Sequence, residues 1–193
     1  MTSDEPRRPT YEEWRADYLG LPGAEEFESW QCNRLVPFAA RFFGESGALL
    51  EAHGEAAIER ALATLCRDVQ IQFDLWDDGT TIEERHACIR AMGDLFEQVF
   101  AVVDLPERCF MWWHLMITYA AEGHPESCRC VEEVLERILF AGPMNCSLSA
   151  LHGFGHLPNC RREEIIDRWL SAQEGLDPET RKYAEAAREG NVL

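Results

Sequence analysis

Apolar residues recur at the spacing of an α-helix along most of this chain, and the alternation typical of β-strands is nearly absent. Four stripes carry most of the signal, within residues 58–69, 89–100, 131–139 and 165–170. Each stripe would give a helix one apolar face and leave the opposite face polar. The pattern therefore predicts an all-α protein.

Side chains that favour helix N-termini predict where several of these helices begin. Residues 10–13 and 81–84 each have the Thr-x-x-Glu order of a capping box. Asn145, Asn159 and Asp177 are also expected to be N-caps, because their short side chains can accept a hydrogen bond from the first turn.

The second half of the chain shows two consecutive helix pairs. An apolar helix near 109–121 precedes an amphipathic one near 126–140, and a helix near 146–157 precedes another near 160–172. The apolar residues at 134, 135, 138 and 139 recur at 165, 166, 169 and 170, an offset of 31 residues. A repeat of this length built from helix pairs is typical of an α-solenoid.

These pairs resemble HEAT-like helical repeats. Residues 150–156 are Ala-Leu-His-Gly-Phe-Gly-His, and Tyr-Ala-Glu-Ala-Ala follows at 183–187. The last half of the chain thereby resembles an uncharacterised group of bacterial proteins that has Ala-Leu-His-Gly-Leu-Gly-His, with Phe154 in place of the leucine. The resemblance implies a fold and no activity. We expect one all-α domain over 1–193, in which N-terminal helices (1–105) continue into a short stack of antiparallel HEAT-like pairs (106–193).

Acidic residues outnumber basic ones by 35 to 18, which gives a formal net charge of −17. Nucleic-acid binding is therefore not expected, because it requires clustered Lys and Arg. The charge suits a basic protein partner, and it equally suits solubility alone. Asp74, Asp77 and Asp78 cluster at a predicted helix C-terminus, and they are candidates for binding a cation or that partner.

Membrane insertion and secretion are not expected. The longest uncharged apolar stretch is too short to cross a bilayer, and no secretory leader is visible. The eight cysteines contain no Cys-x-x-Cys pair, so we expect buried thiols in a reducing compartment, the cytoplasm.

Two histidines are the candidate metal ligands. His152 and His156 are four residues apart on a predicted helix, so they share one face and could chelate zinc. The alternative is that each imidazole hydrogen-bonds an adjoining loop or helix end and fixes the packing. The sequence leaves a third ligand open among Cys146, Cys160, His114 and His124.

Other residues suggest weaker sites. Trp112, Trp113 and His114 could line a groove, since adjacent tryptophans on a helix cannot share one face. Cys109 or Cys146 could form a nucleophilic pair with a histidine. Buried packing is the alternative for all of them.

The function expected from the sequence is a non-enzymatic protein–protein interaction module without a cofactor. It would be an adaptor or immunity-type protein that presents an acidic helical surface to a basic partner. One alternative is a metal- or thiol-dependent enzyme that uses the His152/His156 helix with nearby cysteines. Another is a ligand-binding module with a tryptophan-lined pocket.

Overall fold

The computed structural model describes residues 7–27, 35–68, 71–117, 124–158 and 160–192. Within these ranges the regular structure is entirely helical, as predicted. Two π-helical turns, Thr64–Asp68 and Phe96–Phe100, continue α4 and α6. The helices are α1 (Tyr11–Tyr18), α2 (Leu35–Gly44), α3 (Ser46–His53), α4 (Glu55–Ala63), α5 (Ile71–Leu75), α6 (Ile82–Leu95), α7 (Pro106–Ile117), α8 (Pro125–Ala141), α9 (Met144–His156), α10 (Arg162–Ala172) and α11 (Pro178–Glu189).

Both predicted capping boxes are present. The side chains of Thr10 and Thr81 accept hydrogen bonds from the backbone N–H groups of Glu13 and Glu84, whose carboxylates accept from the cap N–H groups in return. The Asp177 side chain accepts a hydrogen bond from the third residue of α11. These bonds satisfy N–H groups that have no partner within the helix.

The predicted cap at Asn145 is wrong. Helix α9 begins at Met144, directly after Pro143, so Asn145 lies inside the first turn. Its Nδ2 donates to the carbonyl oxygen of Phe100 at 3.1 Å and ties α9 to the end of the α6 segment. The predicted cap at Asn159 lies outside the described residues.

Aromatic side chains form the core between α1 and α2. Trp14 is 1% exposed, and its ring lies 4.3 Å from Tyr18, 5.6 Å from Phe38 and 6.1 Å from Phe42, between centroids. Helix α2 in turn packs along α6. The N-terminal helices are thus held together by buried apolar area.

Helix α9 is the centre of the C-terminal half and packs against α7, α8 and α11. Gly153 permits this close approach, because a Cβ there would lie 2.8 Å from Leu135 Cδ2 on α8 and 2.9 Å from Trp113 Cβ on α7. A Cβ at Gly155 would overlap the Val192 side chain, which follows α11. Side chains of neighbouring elements thus approach both glycines of α9 closely.

The stacking of successive helix pairs stays a prediction. Helix α8 packs mainly against α6 and α9, and α10 packs mainly against α11. These contacts describe helices gathered around α9 and do not establish a row of HEAT-like pairs. No described helix combines the length and apolar character that a bilayer crossing requires.

Candidate metal centre

Three histidines converge where α7 crosses α9. His114 comes from α7, and His152 and His156 come from successive turns of α9. Each offers a ring nitrogen within 4.8 Å of those of the other two. His152 is 1% exposed, whereas the other two are half-buried. The close crossing permitted by Gly153 places the two helices near enough for this cluster to form.

Two of the three separations between ring nitrogens are close to those of ligands around one metal ion. His114 Nδ1 lies 3.0 Å from His156 Nε2, which lies 3.3 Å from His152 Nε2. Two nitrogens bound tetrahedrally to zinc at about 2.0–2.1 Å stand roughly 3.3–3.4 Å apart. The two separations that involve His156 are therefore close to this spacing, and the separation between the His114 and His152 nitrogens is at most 4.8 Å.

Hydrogen bonds among the three rings cannot account for both close contacts of His156. A nitrogen of a neutral imidazole either donates one hydrogen or offers one lone pair. His156 Nε2 faces two other ring nitrogens, so it can form only one well-directed hydrogen bond with them. A metal ion would instead accept a lone pair from each of the three rings.

Tyr183 on α11 orients the most buried imidazole. Its hydroxyl lies 2.6 Å from His152 Nδ1, and the ring of Phe110 lies 4.7 Å from the His152 ring, between centroids. Burial raises the pKa of Tyr183 to about 12, so the phenol stays neutral. When Nδ1 donates its hydrogen to the phenol oxygen, Nε2 keeps its lone pair toward the cluster, as in many metal-bound histidines.

The surroundings keep the imidazoles on α9 neutral. Burial, followed by the nearby His156 and His114, lowers the pKa of His152 to about 4. Burial and His114 also lower the pKa of His156 below its ordinary value. Because a histidine must be deprotonated to bind a metal, both rings are ready to do so at neutral pH.

His114 is the only one of the four possible third ligands that joins the pair. Among the others, Cys160 Sγ lies 3.2 Å from the carbonyl oxygen of Leu157, and His124 Nε2 lies 2.9 Å from that of Trp76. The interaction with the Cys109 side chain lowers the pKa of Cys146. These two cysteines, which could have paired with a histidine, therefore interact with each other.

Trp112 and Trp113 do not line a groove, and that prediction is wrong. Both are at most 1% exposed. The ring of Trp112 packs edge-on against Phe43 and Phe100, and that of Trp113 stacks on Phe96. Since successive residues of α7 point in different directions, His114 reaches α9 while the two tryptophans face the core.

Asp74 is an exposed residue of α5, Asp77 and Asp78 lie in the exposed turn that follows, and none of the three takes part in the histidine cluster. Asp77 Oδ1 accepts a hydrogen bond from Gly79 N at 2.7 Å. The buried guanidinium of Arg85 donates to three carbonyl oxygens of the same region and holds its shape. Burial, and then Asp77, raises the pKa of Asp74. The binding role of these acids stays a prediction.

Comparison with known proteins gives no family model, no curated protein and no solved structure that matches this chain. The resemblances to HEAT-like repeats and to the bacterial group therefore stay predictions. Any function has to be argued from the site itself.

Proposed function

We propose that this protein binds a divalent transition-metal ion, with zinc the best fit, through His114, His152 and His156. The observation that carries the proposal is the convergence of three ring nitrogens at 3.0 and 3.3 Å spacing. Imidazole is a preferred ligand of zinc, and Tyr183 supplies the outer hydrogen bond that commonly orients such a ligand.

The proposed chemistry is activation of a metal-bound water for hydrolysis. Structural zinc sites use four protein ligands, whereas catalytic sites use three and leave a position for water or substrate. The described part of the chain supplies three. His114 and His156 are half-buried, so solvent has access to this side of the cluster. Zinc in such a position lowers the pKa of bound water to about 7 and so generates a hydroxide nucleophile.

Calorimetric titration of zinc into untagged, chelator-treated protein tests the binding. We expect one zinc per chain, and a Kd raised about 100-fold or more in His156→Ala and in His114→Ala, because each variant loses a direct ligand. Tyr183→Phe should weaken binding by about 10-fold through loss of the orienting bond. His53→Ala is the matched control, because His53 is exposed on α3. Absence of zinc binding, or binding that ignores both ligand variants, contradicts the proposal.

Cobalt substitution tests the open position separately. Cobalt(II) in a site with three histidines and a water should give the visible absorption of a tetrahedral ion, and added azide should change it by replacing the water. We also expect zinc-dependent cleavage of activated esters that His156→Ala abolishes. Stoichiometric metal with a spectrum insensitive to azide would retain the metal site and reject the hydrolytic role.

The second candidate is the interaction module predicted from the sequence, and the net charge of −17 favours it. A strongly acidic protein accelerates encounter with a basic partner. The exposed turn at Asp74, Asp77 and Asp78 is the proposed contact region. Cytoplasmic location belongs to the same proposal and follows from the expectation of reduced thiols.

A further inference from the structure

A second pair of reactive side chains joins α7 to α9, separately from the histidines. The Cys109 thiol donates a weak hydrogen bond, 3.8 Å long, to the carbonyl oxygen of Asn145, the residue just before Cys146. The Cys109 and Cys146 side chains also interact with each other, since each shifts the pKa of the other. The hydroxyl of Ser149 fixes the same crossing by donating to the Cys109 carbonyl oxygen at 2.5 Å. Two thiols are thus held against each other by packed helices.

A cavity of about 290 Å³ reaches Cys146 from the surface. Phe96 and Ile138 form its apolar wall, and the exposed residues Glu97 and Ala141 stand at its rim. A water molecule occupies about 30 Å³ of liquid volume, so the cavity has room for a hydrogen peroxide molecule. Both thiols are otherwise 1% exposed, and the cavity is a route to Cys146.

The cavity divides the roles of the two thiols, because Cys146 lines it and Cys109 is not among its lining residues. The pKa shifts agree with this division: the interaction with Cys109 lowers the pKa of Cys146, and the interaction with Cys146, together with burial, raises the pKa of Cys109. Because the thiolate is the nucleophile toward peroxides and the cavity leads to Cys146, Cys146 is the attacking sulfur and Cys109 the sulfur that resolves the product.

We propose that Cys109 and Cys146 form a dithiol site that hydrogen peroxide converts to a reversible disulfide between α7 and α9. The Cys146 thiolate attacks one peroxide oxygen, the O–O bond breaks, and the departing hydroxide takes up a proton to become water. The Cys109 sulfur then attacks the sulfur of the resulting sulfenic acid and displaces hydroxide, which takes the Cys109 proton. Two thiols and one hydrogen peroxide give one disulfide and two waters.

The site is distinct from the histidine cluster, although the same two helices carry both. Oxidation ties α7 to α9 covalently and leaves all three imidazoles unmodified. To form the bond, the sulfurs must approach to about 2.05 Å. The cavity beside Cys146 provides space for that adjustment.

Peptide mapping of the full-length protein after peroxide treatment tests the proposal. We expect a linked pair of peptides that contain Cys109 and Cys146, lighter by two hydrogen atoms and separated again by dithiothreitol. Cys160→Ser is the control that should still form the link, because its thiol is half-buried at the end of α9. Thiols at 109 and 146 that stay reduced, or that link mainly to other cysteines, overturn the proposal.

Trapping of the intermediate tests the assigned roles. In Cys109→Ser the sulfenic acid should persist on Cys146 and be labelled by dimedone. In Cys146→Ser, Cys109 should stay unlabelled under the same exposure. Labelling in the opposite order overturns the assignment of the nucleophile. The disulfide mapping uses the unaltered protein and decides the main proposal even if a variant fails to fold.

Discussion

Aromatic rings form one cluster between α1 and α2, and histidine rings form another between α7 and α9. The two clusters differ in how their polar atoms are arranged. Tyr11 belongs to the aromatic cluster, and its hydroxyl points outward to Glu45, 3.0 Å away. In the histidine cluster the polar atoms point inward, toward one another. The first arrangement buries apolar area and directs the Tyr11 hydroxyl outward, while Trp14 Nε1 is buried there without a hydrogen-bond partner. The second brings together three groups that compete for the same hydrogen bonds.

The aromatic cluster therefore bears on stability, and the histidine cluster bears on the proposed metal binding. Burial of rings such as Trp14 stabilises the fold in proportion to the area removed from water. Burial of imidazoles costs free energy unless each polar atom has a partner, and leucines would fill the same crossing without that cost. This cost supports the proposal that the converging imidazoles bind a metal ion.

Truncation in the aromatic cluster should give the largest loss of stability. Trp14→Ala removes a ring that contacts Tyr18, Phe38 and Phe42, so the free energy of unfolding should fall by about 3–5 kcal/mol. Urea denaturation measures the change. Zinc affinity, titrated where the variant remains folded, should be unchanged. A folded Trp14→Ala protein that fails to bind zinc would show that the two clusters are not independent.

Filling the α7–α9 crossing should have the next largest effect. In Gly153→Ala the new methyl group meets Trp113 Cβ, an atom that cannot rotate away. Overpacking of about 1–3 kcal/mol should exceed the gain of about 1 kcal/mol in helix propensity. Gly155→Ala meets only Val192, close to the end of the described chain, so its loss should be smaller. Urea denaturation of both variants tests the order, and a more stable Gly153→Ala protein would contradict the close crossing.

Local sequence patterns were sufficient to predict the helices and part of the histidine site. The Thr10 and Thr81 caps and the shared face of His152 and His156 depend on residues within one or two turns. Such short-range relations follow from helix geometry, whatever packs around the helix. The cap at Asn145 failed because α9 begins at Met144, with Pro143 at the N-cap position, and the Asn145 side chain donates to the Phe100 carbonyl oxygen instead.

The rest of the site depends on which helices touch, and sequence periodicity does not contain that information. His114 is 38 positions before His152, and the two meet because α7 crosses α9 at Gly153. Tyr183 is 31 positions after His152, on another helix. The adjacent tryptophans on α7 suggested a groove, but aromatic rings from α2 and the α6 segment cover both. The available signal was the two glycines beside two histidines, which indicated a close neighbour without identifying it.

Acid should destabilise the metal-free protein through His152. Its pKa falls from an ordinary 6.5 to about 4 in the folded state, so the unfolded chain binds this proton first. The contribution is fully present above pH 6.5 and is lost as the pH falls toward 4, by roughly 2 kcal/mol once the pH has reached about 5. Urea denaturation with chelator across this range measures the slope. His152→Gln retains hydrogen-bonding capacity and should flatten it, whereas an unchanged slope would assign the acid sensitivity to other groups.

The smallest expected effect concerns the acidic turn, which lies apart from both clusters. Changing Asp74, Asp77 and Asp78 together to Asn should alter the free energy of unfolding by only about 0.5 kcal/mol, because all three are exposed and Asn keeps the acceptor for Gly79 N. If the turn attracts basic partners, the association rate of an octa-arginine probe should fall a few-fold in this variant. It should also fall as salt rises past physiological strength, where the Debye length is about 8 Å.

A matched control neutralises the exposed Glu51, Glu55 and Glu59 on α3 and α4, which removes the same charge from another part of the surface. Equal losses from the two triple variants would show that the net charge acts as a whole, and the acidic turn would then have no special role in binding.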